Sequence, residues 1–299
     1  MFANVPFYQK IVLSWQIIPV YIVIFEVTYC VNHYIFFDNR ESLLKQIISF
    51  VIFDPLAYQT IITHVKSMFT NPGYVPIPYT PPKNFSNNQD NSSLGKDGTK
   101  LETKSIELFC KKCNNPRPPR AHHCKVCKKC TLKMDHHCHW IANCVGYYNQ
   151  KVFYQFLFYS TVGDAVGFFL LITTFYNYDK SIKSNLPDGV KITSPFTLFY
   201  YMWTPIHLFI SSLCALSMTI GIGSIFIKQT KMILNNQTTI EKKMFEDWKS
   251  SPFYEEDKMK NFKSVMGKSC CDWIKMSFYD ENNPFTDEKA KKVSVIETN

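Results

Sequence analysis

Cys110-x2-Cys113-x9-His123-Cys124-x2-Cys127-x2-Cys130-x4-Asp135-His136-His137-Cys138-x5-Cys144-x4-Asn149-x3-Phe153 is the stretch that decides how this 299-residue chain reads. It holds seven of the chain's eleven cysteines and five of its eight histidines. Structural zinc takes four ligands, mostly Cys thiolate and His imidazole, often from Cys-x2-Cys pairs. Three such pairs occur, Cys110/Cys113, Cys124/Cys127 and Cys127/Cys130. The last two share Cys127, so they are not all independent knuckles. Six cysteines and two histidines would fill two Cys3His sites and leave one thiol over. A disulfide framework is the competing use. It suits oxidising compartments, whereas the basic character of this segment predicts a cytosolic location where thiols stay reduced. Spacing alone leaves open which cysteines serve which zinc.

The spare thiol is expected to be Cys138, which alone directly follows Asp135-His136-His137. The thiolate is the nucleophilic form of cysteine, and a neighbouring imidazole promotes it. A Cys activated by a His that a carboxylate orients is the general arrangement for acyl transfer. Asp135, His136 and Cys138 supply all three parts within four residues. The plainer alternative makes Asp135 and His136 supports of the metal sites and Cys138 a thiol without a task.

Outward from the cluster, apolar and polar blocks segregate. Spanning a bilayer takes ~20 mainly apolar residues. Residues 11–31, 47–65, 152–176 and 198–227 meet or approach that length. The second run is the weakest, with Asp54-Pro55, Gln59 and His64 in it. No small-residue cleavage site follows the first run, which therefore reads as a retained anchor. The stretch from residue 64 to 151 carries 14 Lys/Arg against 5 Asp/Glu. Positively charged loops stay cytosolic, so both termini and the cysteine-rich segment are expected there. The sequons at Asn84, Asn91 and Asn236 would then remain unglycosylated. The expected fold is an α-helical polytopic membrane protein. Its parts are a cytosolic N-terminus (1–10), helices 1 and 2 (11–65), a linker (66–107), a zinc-stapled domain (108–151), helices 3 and 4 (152–227) and a cytosolic tail (228–299).

The formal charge is +9. Six thiolates and two Zn2+ would lower it to about +7. Lys111, Lys112, Arg117, Arg120, Lys125, Lys128, Lys129 and Lys133 offset the thiolates and can also meet anionic lipid heads or the phosphates of a soluble ligand. Nucleic acid, the other standard partner of a basic zinc module, does not fit between membrane helices. Residues 80–104 are rich in Pro, Asn, Ser and Gly and read as a flexible linker. Glu26, Asp54 and Asp164 lie inside apolar runs. Pairing between helices is their expected role, with Asp164 lining a wet cavity as the alternative. In the tail, Cys270-Cys271 next to Trp273 and Ile274 suggest reversible acylation, or ordinary exposed thiols.

The constellation as a whole resembles the zinc-finger DHHC protein S-acyltransferases, or palmitoyltransferases. Every Cys and His of that family's cysteine-rich pattern is present at the family's spacing, together with Asn149 and Phe153. The resemblance implies one zinc on Cys110, Cys113, His123 and Cys130, and a second on Cys124, Cys127, His137 and Cys144. It implies Cys138 as the acylated nucleophile, His136 as base and Asp135 as the group that polarises it. Long-chain fatty acyl-CoA would be the donor, and cysteines of cytosolic or membrane-associated proteins the acceptors. Thr238-Thr239-Ile240-Glu241, Ser251-Pro252-Phe253 and Asn261 match the family's tail elements, which pack the tail on the zinc domain. Two departures stand out: His139 replaces the usual Pro after the nucleophile, and Asn71-Pro72-Gly73 replaces Asp-Pro-Gly. Trp140 would cover the acyl chain or anchor at the interface.

Other classes fit less well. A RING-like ubiquitin ligase needs a final Cys-x2-Cys pair that is missing, and a metal transporter needs more ligands within its helices than His64 and His207. A catalytically silent membrane zinc scaffold keeps the fold and differs by activity alone. Acyl length, protein substrates, oligomeric state, any accessory subunit and the choice among Golgi, ER, another endomembrane and the plasma membrane are not encoded legibly.

Overall fold

The computed structural model describes residues 17–37, 42–80, 109–185, 195–251 and 253–274. Residues 1–16, most of the polar linker with Asn84 and Asn91, and everything after residue 274 lie outside the described residues. Four helical stretches are long and apolar enough to cross a membrane, and the cysteine-rich segment lies between the second and the third. The first is α1 (Ile17–Asn32), continued by a π turn at His33–Phe37. The second comprises α2 (Leu43–Ile48), a π turn at Ser49–Phe53 and α3 (Asp54–Phe69). The third is α4 (Gln150–Asn185) and the fourth α5 (Pro195–Leu234). Several of these helices outrun the apolar runs that announce them. Their ends carry polar residues that hydropathy discounts but that helical hydrogen bonding accommodates. Pro55 does not break the second stretch, because it directly follows the π turn at Ser49–Phe53, where the regular helical ladder is already interrupted.

The membrane core gathers Val27, Val31, Tyr34, Ile35, Phe53, Leu170, Leu171, Leu208 and Ala215 from all four stretches. At Gly167, an added Cβ would lie 3.0 Å from Phe53 and 3.1 Å from Val27. The bare backbone is therefore what lets the first and second helices close on the third. Asp54 pairs between helices, accepting from Asn32 Nδ2 at 3.0 Å. Glu26 does likewise, 2.6 Å from His207 Nε2.

Among the described residues between the second and third helices are three two-stranded antiparallel hairpins, an element type that the sequence pattern does not announce. They are β1 (Phe109–Cys110) with β2 (Asn115–Pro116), β3 (His122–Cys124) with β4 (Lys129–Thr131), and β5 (His136–Cys138) with β6 (Asn143–Val145). Strands of two or three residues leave almost no period-two hydropathy signal, and cysteine and histidine mask what remains. The tail adds α6 (Thr239–Met244), α7 (Lys258–Met266) and α8 (Cys270–Ile274).

Two asparagines join the hairpins to the second helix. Asn71 Oδ1 accepts from the backbone N–H of Gly73 at 2.9 Å and of Tyr74 at 3.0 Å, with Gly73 at φ 102°. An Asp would make the same turn, so this departure from the family is conservative. Asn143 Nδ2 faces the carbonyls of Ser67, Met68 and Thr70 at 3.2, 3.1 and 2.9 Å. These are carbonyls at the end of α3 that lack helical partners, so β6 caps the membrane helix. Gly146 follows directly, and a Cβ there would meet Pro72 O at 2.5 Å, Thr131 Cγ2 at 2.6 Å and Leu132 O at 2.9 Å. Two of those three neighbours are backbone atoms that have no rotamer to change. Gly146→Ala is therefore expected to destabilise the hairpin region by about 1–3 kcal/mol, read as a lower melting midpoint and earlier zinc release in detergent.

Candidate functional site

The hairpin registers bring the metal-type ligands together. In β3–β4, His123 lies opposite Cys130, and in β5–β6, His137 lies opposite Cys144. Two Cys3His clusters result: Cys110, Cys113, His123 and Cys130, and Cys124, Cys127, His137 and Cys144. In the first, Sγ of Cys110 and Cys113 lie 3.6 and 3.2 Å from His123 Nδ1, and Cys113 Sγ lies 3.8 Å from Cys130 Sγ. In the second, Cys124, Cys127 and Cys144 lie 3.6, 3.4 and 3.7 Å from His137 Nδ1. The edges of a tetrahedral zinc site with these donors are about 3.6–3.8 Å, so the donor sets fit Zn2+ in chemistry and spacing. The grouping is the one that the family resemblance implies.

Period-two alternation along β5 then separates two tasks. His137 points into the second cluster, so His136 and Cys138, its neighbours on either side, point to the opposite face. There His136 Nδ1 lies 2.6 Å from Asp135 Oδ2, and Cys138 on the same face favours the charged form of its ring. Asp135 is 2% exposed. It accepts from Gln229 Nε2 at 2.8 Å and from the Thr239 N–H at 2.5 Å. Burial alone would raise its carboxyl, but the bonds from His136, Thr239 and Gln229 prevail and hold it down at about 2. Burial likewise disfavours the His136 imidazolium. Its hydrogen bonds to Asp135 and Cys138 prevail and push it up to about 9.

Cys138 is 7% exposed and packs in an apolar cluster with Ile141, Val145, Phe153, Phe156 and Leu157. Met68, Ile222 and Phe226 border that cluster, so three membrane helices contribute to the wall around the thiol. Phe153 sets its ring edge-on to His136, with centroids 5.7 Å apart. Asn149, wholly buried, accepts from the Gly146 N–H at 2.9 Å and donates to Cys144 O at 2.7 Å, which fixes the start of α4 against β6. After Cys138 the chain makes a 3-10 turn, His139–Ile141. His139 sets its ring against His137, 5.1 Å between centroids. Trp140 is 52% exposed.

Several residues to which the sequence assigns no place in the site complete it. His64, fully buried on α3, approaches Trp140 O through Nε2 at 3.0 Å and Tyr21 Oη through Nδ1 at 3.0 Å. It thereby ties the turn behind Cys138 to the first two helices. Gln229, Asn143 and Tyr21 are the others. Each is a single polar residue in or beside an apolar run, and only its position within such a run sets it apart.

The tail motif docks as the resemblance implies. Thr238 caps α6 while the Glu241 carboxylate returns to the Thr238 N–H at 2.8 Å. That capping box and a link to the zinc domain coexist. Arg120 donates to both Glu241 oxygens, at 2.5 and 2.8 Å, and to Asn236 Oδ1 and O at 3.1 and 2.8 Å. Its guanidinium also lies 4.9 Å from the Phe253 ring centre. Arg120 is thus engaged inside the protein, and the expectation that it serves anionic partners does not hold. The Asn236 amide nitrogen donates to Phe253 O at 3.1 Å. Asn261 Nδ2 donates to Leu234 O and Glu255 O, both at 2.9 Å. Cys271 is exposed, whereas Pro252 and the Cys270 side chain lie outside the description.

Known proteins are similar to this chain in sequence. Residues 103–246 match the family model described as DHHC palmitoyltransferase. The chain is 33% identical over 239 residues to "Probable protein S-acyltransferase 12" of Arabidopsis thaliana, covering 78% of this chain and 74% of that protein. It is 30% identical to "Probable protein S-acyltransferase 15" of the same plant, covering 84% and 92%. It is 29% identical to "Palmitoyltransferase ZDHHC3-A" of Danio rerio, covering 84% and 70%.

The Arg120–Glu241 pair yields a stability test. Its side chains are 12% and 3% exposed, so removing one partner strands a desolvated charge at a cost of about 3–5 kcal/mol. Glu241→Ala should lower the melting midpoint in detergent more than the double change Arg120→Met/Glu241→Leu, which removes both charges together.

Proposed function

Because this chain belongs to the DHHC palmitoyltransferase family, we propose that it transfers a long-chain fatty acyl group from acyl-CoA, through Cys138, to cysteine thiols of proteins at the cytosolic membrane face. One observation carries the reading. The Asp135–His136 pair and Cys138 lie together on the face of β5 turned away from the metal-type cluster, with the thiol against an apolar wall built from three membrane helices.

In the first half-reaction, His136 takes the Cys138 proton and the thiolate attacks the thioester carbonyl of acyl-CoA. The CoA sulfur leaves and regains a proton from His136. In the second, an acceptor thiol gives its proton to His136, and its thiolate attacks the acyl-Cys138 thioester. Cys138 leaves as thiolate and the cycle closes. Asp135 fixes the ring tautomer that presents the other nitrogen of His136 to the thiol, and it stabilises the imidazolium. The acyl tail lies along the apolar wall, where each buried CH2 contributes about 0.8 kcal/mol. Two Zn2+, one in each Cys3His cluster, would cross-link the hairpins, and all eight ligand positions come from protein. Basic residues of the linker and the cysteine-rich segment support a cytosolic orientation and attraction of the CoA phosphates.

Cys138→Ser is expected to abolish a hydroxylamine-labile label from clickable palmitoyl-CoA on purified protein, while zinc content stays at the wild-type level. His136→Ala should slow labelling by roughly 10²–10⁴-fold with zinc retained. Loss of zinc in Cys138→Ser would make that residue a ligand. Folded, zinc-loaded wild type that takes no label would favour the scaffold reading.

A further inference from the structure

A third group of metal-type donors lies inside the membrane region, away from the hairpins. Glu26 and Cys30 are four residues apart on α1, and His207 and Ser211 are four apart on α5. That spacing puts each pair on one helix face, and the two faces meet. Cys30 Sγ lies 3.4 Å from Glu26 Oε1, 3.5 Å from His207 Nε2 and 3.2 Å from Ser211 Oγ. Ser211 Oγ lies 3.1 Å from Glu26 Oε1. By helical rise His207 stands about 22 Å from Ile222, the α5 residue that borders the Cys138 wall. The group is therefore separate from the proposed reaction site.

We propose that Glu26, Cys30 and His207 bind a third Zn2+, tying the first membrane helix to the fourth. The donor set of one carboxylate, one thiolate and one imidazole suits a borderline divalent ion. The two sulfur edges, 3.4 and 3.5 Å, fall within the 3.2–3.8 Å span of edges in the two Cys3His clusters. The Glu26–His207 edge is a hydrogen bond of 2.6 Å and would open by about 0.7 Å to reach a tetrahedral edge. Ser211 borders the fourth corner, where its hydroxyl can hold a water. Tyr34 supplies an independent indication. Its hydroxyl lies 2.9 Å from His207 Nδ1 and is itself buried. A metal-bound imidazole hands its other ring N–H to such a partner. Charge balance points the same way: thiolate, carboxylate and Zn2+ sum to zero, the favourable condition in low dielectric. On binding, the Cys30 thiol proton passes to water and the His207 ring proton shifts to Nδ1, facing Tyr34.

The experiment is metal content by mass spectrometry on full-length protein in detergent, incubated with excess Zn2+ and desalted. Wild type is expected to carry three ions per chain and Cys30→Ser two. Glu26→Gln, which keeps side-chain size and hydrogen bonding, is the second variant if the first does not fold, and it too should lose one ion. Tyr34→Phe keeps all three ligands and should weaken the third ion about 10–100-fold without moving the other two. Equal metal counts in wild type and both ligand variants would overturn the proposal, as would a wild type that never exceeds two. The count does not depend on acyl transfer, so a failure of the transferase reading would show in labelling and not here.

Discussion

A carboxylate that is almost wholly buried has to find donors for its oxygens, and Asp135 finds them in three separate parts of the chain. Its own neighbour His136, Gln229 on the fourth membrane helix and the backbone of Thr239 in the tail all converge on it. An ionised group in that position costs several kcal/mol unless it is satisfied. The cysteine-rich hairpins, the membrane bundle and the tail are therefore held in one mutual arrangement. The Arg120–Glu241 pair repeats the logic from the other side, with the charge on the hairpins and the acceptors in the tail. The surroundings of Cys138 then inherit their geometry from contacts made far along the chain.

The second organising fact is the alternation of one short strand. Consecutive residues of β5 face opposite ways, so His137 joins a metal-type cluster while His136 and Cys138 face Asp135 and the apolar wall. A helix would not divide them this way, because its side chains advance by 100° per residue and not by 180°. The apolar wall around Cys138, contributed by Phe153, Phe156, Leu157 and their neighbours, exists because β6 leads through Asn149 straight into α4. The hairpin and the membrane helix are one continuous rigid path.

Much of this was legible beforehand. Four apolar runs announce the four helices, and the density of cysteine and histidine announces the two metal-type clusters. The grouping of ligands came from family resemblance, although the chain contains a residue-level signal for it. Cys-x2-Cys-x9-His-x6-Cys occurs twice, starting at Cys110 and again at Cys124, with the second copy offset by fourteen residues and interleaved with the first. Hairpins of two or three residues were invisible, because so short a strand has no periodicity to detect. The contacts of Asn143, His64 and Gln229 are not legible for a related reason. An isolated polar residue in or near an apolar run shows that something must satisfy it, but not what does. The partner lies dozens of residues away and appears only once the helices are assembled.

Interleaving has a consequence of its own. Cys124 and Cys127, which belong to the second cluster, lie in the chain between His123 and Cys130, which belong to the first. No point along the chain divides one ligand set from the other, and each loop that one ion would close carries half the grip on its neighbour. Loop-closure entropy lost at one site is already spent for the other. The pair should accordingly fill and empty as a single cooperative step, without a stable half-loaded form. Maturation of the protein would then respond to zinc supply as a threshold, and not in proportion to it.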